Sequence, residues 1–111
     1  MEITAQAKYV RTSPRKLRLV RDAIKGVSSP KQAQVILKFL NKRAAGPLSK
    51  ALGSAVANAT FNAKKDEANL KIKKIDINEG PTLWRWRAGS RGTAKTIAKR
   101  TSHIKVILEA E

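Results

Sequence analysis

The chain has 111 residues, enough for one small domain with a modest core, and its 24 Lys and Arg against 8 Asp and Glu give a formal net charge of +16. It has no cysteine, which removes disulfides, thiolate zinc sites and cysteine nucleophiles together, and no apolar run approaches the roughly 20 residues of a membrane span. Self-repulsion at this charge works against compaction, so the natural partner is a polyanion, nucleic acid before an anionic membrane surface.

In chain order, Met1-Glu2-Ile3-Thr4 lacks a basic segment followed by an apolar one, so no signal peptide is expected and the protein should stay where it is made. Residues 3–10 alternate weakly and predict a short strand. Ser13-Pro14 marks a helix start: Ser is a good N-cap, and Pro suits the first helical position because its missing N–H needs no partner there. Leu17, Val20 and Ile24 follow as one apolar stripe, and Gly26 can end the helix. Arg15, Arg18, Arg21 and Lys25 flank the stripe, with Arg11 just before it, so one face can pack while the flank meets a phosphate backbone.

Ser29-Pro30 repeats the start signal, with Ala33, Ile36, Leu37 and Leu40 as the expected buried side of a second helix. A third helical segment is predicted from about Lys42 to Ala63, with Leu48, Leu52, Val56 and Ala59 facing inward. Its small residues, Ala51, Gly53, Ala55 and Ala57, permit close helix approach. Gly46-Pro47 either kinks this helix or delays its start to Pro47. Lys64-Lys65-Asp66-Glu67 reads as the exit loop. From Leu70 the period changes to two: Leu70 and Ile72, then Ile75 and Ile77 on a shifted phase, predict a strand with a bulge near Lys73-Lys74. Ile104, Val106 and Leu108 alternate again, and Gly89-Ser90-Arg91-Gly92 between them is a turn. The simplest assignment is one long β-hairpin on a single domain spanning 1–111, its arm covering about 78–103.

That hairpin carries the physical case for function. Lys74 to Ala88 is fifteen residues, which would extend ~50 Å as a strand against a radius of gyration near 13 Å for a globule of this size. The arm must project, and a two-stranded ribbon alone in water is marginal. No acid occurs from Ala23 through Lys65, and none between Glu79 and Glu109. The outer arm holds Arg85, Arg87, Arg91 and Lys95, so its partner should be anionic. Strand alternation puts Trp84 and Trp86 on one face and Arg85 and Arg87 on the other. Indoles can stack on bases or sugars while guanidiniums meet phosphates. The bland alternative packs the tryptophans on the protein's own helices.

Catalytic and metal chemistry finds no constellation. His103 is the only histidine and has no cysteine partner, so a polar contact at the base of the arm is its expected role. Asp76 and Glu79 read as local charge balance rather than a catalytic pair. Gly89-Ser90-Arg91-Gly92 lacks the Lys-Ser/Thr of a nucleotide-binding loop. No cofactor and no metal are expected.

Four segments together resemble the bacterial-type ribosomal large-subunit protein number twenty-two family, nearly end to end: Ser13-Pro14-Arg15-Lys16 with Arg18-Leu19-Val20; Ser54-Ala55-Val56-Ala57-Asn58-Ala59; Asn78-Glu79-Gly80-Pro81; and Lys99-Arg100-Thr101-Ser102-His103-Ile104. The resemblance implies an α+β fold, with three helices on a small antiparallel sheet and a long protruding β-hairpin. It implies a structural, non-enzymatic constituent of the large subunit that binds large-subunit ribosomal RNA early in assembly, beside neighbouring ribosomal proteins. It also implies that the hairpin tip lines the nascent-peptide exit tunnel. The expected setting is a ribosome in the cytoplasm or an organelle, with no membrane contact and a monomer when free.

Carried over by position, the RNA-binding residues of the body are Arg11, Ser13, Arg15, Lys16 and Arg18. Those at the arm's base are Lys99, Arg100, Thr101, Ser102 and His103. The tip is Trp84, Trp86, Ala88, Gly89, Ser90, Arg91, Gly92 and Thr93, within a stretch running to Lys95. Here the chain departs from the family, whose tip reads close to Pro-Arg-Ala-x-Gly-Arg-Ala: the proline is missing, and Gly89 and Thr93 stand where arginines are usual. Gly46-Pro47 is a second departure. The competing class is an architectural DNA-bending protein with basic β-arms. The bases spread over the body and the lack of a spare apolar face for dimerisation argue against it.

Overall fold

A computed structural model describes residues 2–62, 64 and 69–110. Strand β1 (Glu2–Val10) leads into helix α1 (Pro14–Ala23), followed by α2 (Pro30–Phe39) and α3 (Ala45–Ala57). Strands β2 (Leu70–Glu79), β3 (Leu83–Ala88), β4 (Ala94–Lys99) and β5 (Ser102–Ala110) complete the chain. The expected exit loop lies outside the described residues except for Lys64.

The body is an antiparallel sheet of order β1-β5-β2, with helices on one face. Ile104, Val106 and Leu108 of β5, in the middle of the sheet, share one buried core with Leu17 and Val20 of α1 and Leu48 and Leu52 of α3; α3 packs on β5 and β1, and α1 on β2. α2 packs chiefly on α3, as a second layer. At Gly53 a β-carbon would stand 3.0 Å from the Gln34 amide nitrogen of α2, so glycine permits that approach.

The start of α1 follows the predicted chemistry: the Ser13 hydroxyl accepts from the Lys16 N–H at 3.4 Å, and Pro14 occupies the first turn. Gly26 has φ +90°, the left-handed conformation that glycine adopts without strain. The bulge appears between Ile72 and Lys74.

Three expectations need correction. α3 begins at Ala45, so Gly46-Pro47 lies in its first turn and the start is neither as early as Lys42 nor delayed to Pro47. The first-turn N–H groups have no intrahelical acceptor, so proline costs nothing there. α3 ends at Ala57 rather than Ala63, giving way to a π-helical turn over Asn58–Asn62. The Thr60 hydroxyl donates to the carbonyls of Val56 and Ala57 at 3.1 and 3.3 Å, a back-bond that competes with α-helical pairing. Ile36 is exposed, because α2 buries Pro30, Ala33 and Leu37, with Leu40 half-buried, and turns Ile36 away from that side.

The hairpin projects, and it is jointed rather than continuous. β3 and β4 form their own two-stranded sheet, separate from β2 and β5. The molecule measures 61 × 25 × 18 Å with a radius of gyration of 16.8 Å, well beyond the roughly 13 Å of a compact chain of this length. The joint falls at Gly80-Pro81-Thr82 opposite Arg100-Thr101, where Pro81 has no N–H to continue the ladder. The Gly80 N–H donates to the Thr101 carbonyl at 3.0 Å and carries the pairing across. At the far end, Arg91 at φ +57° and Gly92 at φ +73° reverse the chain within a short 3₁₀ turn, Ser90–Gly92.

Candidate nucleic-acid interface

The base of the arm is assembled by two buried hydroxyls pointing opposite ways. Thr101 donates to the Pro81 carbonyl at 2.5 Å and ties the two sides of the joint. Ser102, wholly buried, donates to the Thr12 carbonyl at 2.5 Å and ties β5 to the turn that enters α1. His103 takes the structural role expected of it: its Nδ1 accepts from the Tyr9 N–H at 3.2 Å and its ring meets the Tyr9 ring edge-on at 5.1 Å. Tyr9 stands at φ +59° in the irregularity of β1 between Ala7 and Val10, which that contact helps to hold. Thr101 and Ser102 were expected among the RNA contacts. Their side chains are instead turned inward, with both hydroxyls committed to protein carbonyls.

These ties bring two distant segments together. Arg11, Ser13 and Lys16 from the start of α1 and Lys99 and Arg100 from the end of β4 line one open cleft of about 400 Å³. Arg43, from the turn between α2 and α3, completes it. Five cations therefore surround a recess that, among the described residues, no acid lines. Arg43 was not singled out in the sequence because it falls inside the segment expected to be helical from Lys42, whereas the chain keeps it in the turn before α3; its only signal was the acid-free run around it. Glu79 approaches Arg100 at 3.9 Å from outside the cleft, an exposed and weak contact.

The other predicted cations lie elsewhere. Arg18 donates to the Ile77 carbonyl at 2.9 Å and stitches α1 to β2. Arg21 and Lys25 border a separate recess shared with Asp22 and Asp76, so the local charge is mixed. Arg15 is exposed on α1, outside the cleft. Lys74 pairs with Asp76 at 3.3 Å. Farthest along the sheet, Lys73 pairs with Glu2. The Lys73 hydrogen bond and its charge hold the Glu2 carboxyl below its ordinary range, and the same contact raises the Lys73 ammonium.

On the arm, register divides the side chains cleanly. Trp84 lies opposite Ala98 and Trp86 opposite Thr96; Arg85 lies opposite Ile97 and Arg87 opposite Lys95. Trp84 and Trp86 are 60% and 73% exposed, which rules out their packing on the protein's own helices. Arg91 heads the tip with Ala88, Gly89, Ser90, Gly92 and Thr93 around it, all without core contacts.

Residues 5–109 match the family described as ribosomal protein L22p/L17e. The chain is 47% identical over 109 residues to the large ribosomal subunit protein uL22 of Syntrophus aciditrophicus, covering 98% of each. It is 51% identical over 106 residues to the uL22 protein of Rubrobacter xylanophilus, covering 96% of this chain and 83% of that one. With its α+β body, projecting ribbon and acid-free cleft, the chain belongs to the ribosomal protein L22p/L17e family.

Proposed function

We propose that the chain is a structural protein of the large ribosomal subunit that grips large-subunit ribosomal RNA at the base of its arm and carries the arm tip into the nascent-peptide exit tunnel. The observation that supports RNA binding most directly is the cleft formed by Arg11, Lys16, Arg43, Lys99 and Arg100, open to solvent and, among the described residues, lined by no acid. Such a recess lets several cations meet consecutive phosphates without desolvating a carboxylate. Ser13, Thr101, Ser102 and His103 contribute by fixing the geometry of that cleft. Arg15, Arg18, Arg21 and Lys25 extend the cationic surface along α1, and Arg85, Arg87, Arg91 and Lys95 extend it along the ribbon.

The whole chain acts as one binding unit, monomeric when free, with neighbouring ribosomal proteins as further contacts in the subunit. Early entry into assembly fits a protein whose surface offers phosphate contacts at both body and arm. The tunnel role rests on family membership, and the 61 Å length supplies the reach.

The test is a titration of the protein against a large-subunit RNA fragment and a DNA duplex, at 50 and 200 mM salt. Five phosphate contacts predict an affinity loss of about 100- to 500-fold over that range. Equal affinity for the RNA and the DNA would defeat this reading.

A further inference from the structure

The ribbon's two faces differ in kind. One carries Trp84, Trp86, Ala88, Ala94, Thr96 and Ala98, without a single charge; the other carries Arg85, Arg87, Lys95 and Lys99, with Leu83 and Ile97 between them. Both indoles are exposed, and their cross-strand neighbours are Ala98 and Thr96, too small to cover them. Among the described residues the one ring–ring contact is that of Tyr9 with His103, so the two indoles do not stack on each other.

Spacing gives this face a specific capacity. Residues two apart on a strand lie ~6.7 Å apart on the same side. Stacked aromatic bases lie ~3.4 Å apart. At that strand spacing, the indoles of Trp84 and Trp86 standing parallel would leave about twice a stacking distance between them, the width that takes one flat ring between two others. We propose that Trp84 and Trp86 form a slot for a single unpaired nucleobase of RNA, while Arg85, Arg87 and Lys95 on the reverse face hold the backbone of a second RNA segment.

The occupant follows from charge. The arm has no acid between Glu79 and Glu109, and its reverse-face cations lie across a ribbon one strand thick, within about a Debye length of anything seated on the indoles. A polyanion with flat, apolar, exposable rings satisfies both faces. A peptide segment satisfies only one. The base must be unpaired, because a base inside a duplex has both its faces occupied by its neighbours. The proposal rests on the RNA-binding reading above and adds its ligand subsite.

The chain's only two tryptophans are these two, so tryptophan emission reports the arm alone. The experiment uses the full chain and two RNA hairpins, identical except that a single bulged adenosine in one is an abasic nucleotide in the other. Phosphate number is the same in both. The expected result is strong quenching on the adenosine bulge, little on the abasic one, and about ten-fold tighter binding of the former. In a W84L/W86L double variant, followed by binding alone, the difference between the two RNAs should vanish. Equal quenching and equal affinity of the natural chain for the two RNAs would overturn the slot while leaving salt-dependent RNA binding intact. So would an emission shift given by an uncharged Leu/Ala peptide but not by the bulge. Absence of salt-dependent binding to either RNA would overturn the underlying reading as well.

Discussion

Replacing Gly80 by alanine tests the joint between body and arm. The new β-carbon would stand 2.6 Å from the Thr101 hydroxyl oxygen and 3.2 and 3.3 Å from the Cε1 and Nε2 atoms of His103. The imidazole edge can retreat by a few tenths of an ångström. Thr101 cannot, because it is 3% exposed and its hydroxyl is bonded to the Pro81 carbonyl. It must rotate and give up that bond. Loss of a buried hydrogen bond costs about 1–3 kcal/mol and a forced rotamer about 0.5–1.5 kcal/mol, against about 0.4–1 kcal/mol regained from a stiffer unfolded chain. The net expectation is about 2 kcal/mol of destabilisation, or roughly 8 °C in Tm at this size.

The cause can be separated from a generic defect. In a Thr101→Ala background the oxygen that clashes is gone, so Gly80→Ala should cost less than about 0.5 kcal/mol there. Urea denaturation of the natural chain, both single variants and the double variant closes the cycle, with a predicted coupling of about 1–2 kcal/mol. Additive effects would refute the assignment of the Gly80–Thr101 contact as the reason for glycine at this position.

Arg43→Ala should leave Tm unchanged, since the side chain is exposed, while lowering the slope of log affinity against log salt by about 0.7–0.9 for one lost phosphate contact. Glu2→Gln should lower Tm slightly near neutral pH: the Glu2 carboxyl is depressed in the folded state, so its contribution is present above the ordinary carboxylate pKa and lost as pH falls through the folded one. Tm curves of the two forms should thus converge in acid, and high salt should shrink the gap at pH 7, because the pair is exposed. Replacing Arg87–Lys95 by Asn-Gly leaves Trp86 opposite Thr96 as the last pair and should preserve the body's Tm, with loss of function confined to late assembly or nascent-chain passage. A large drop in Tm would mean that the arm belongs to the core.

Local chemistry made some elements readable from sequence and hid others. α1 was legible because a cap, a proline and an apolar stripe agree within twelve residues. The β2 bulge was legible because Ile72 and Ile75 break the alternation. The end of α3 was not, since the competition comes from one threonine hydroxyl whose rotamer the sequence does not specify. The joint in the hairpin was hidden for a similar reason: Pro81 announces a missing donor, but only the folded chain brings Thr101 opposite it. For the cleft, Arg11, Lys16, Lys99 and Arg100 could be named individually, yet their convergence depends on the buried bond from Ser102 to Thr12. Adjacent hydroxyls in a motif look alike in sequence, and nothing local says that both are consumed inside.

The positive charge is partitioned rather than merely large. Glu2 meets Lys73, Asp22 meets Arg21, Asp76 meets Lys74 and Glu79 meets Arg100. Each pair is exposed and individually weak, but together they place carboxylates over the body sheet and α1, where cations would otherwise repel one another around the hydrophobic core. Among the described residues no carboxylate lines the cleft, and none stands on β3 or β4. Repulsion there is tolerable because the ribbon buries little and the cleft is open. Neutralisation is thus concentrated on the body sheet and α1; at the cleft it touches Arg100, through the exposed 3.9 Å contact with Glu79, and most of the positive charge there and on the ribbon is left uncompensated. Folding alone would be served better by acids in the cleft, so their exclusion is the feature that a binding role explains and a solubility role does not.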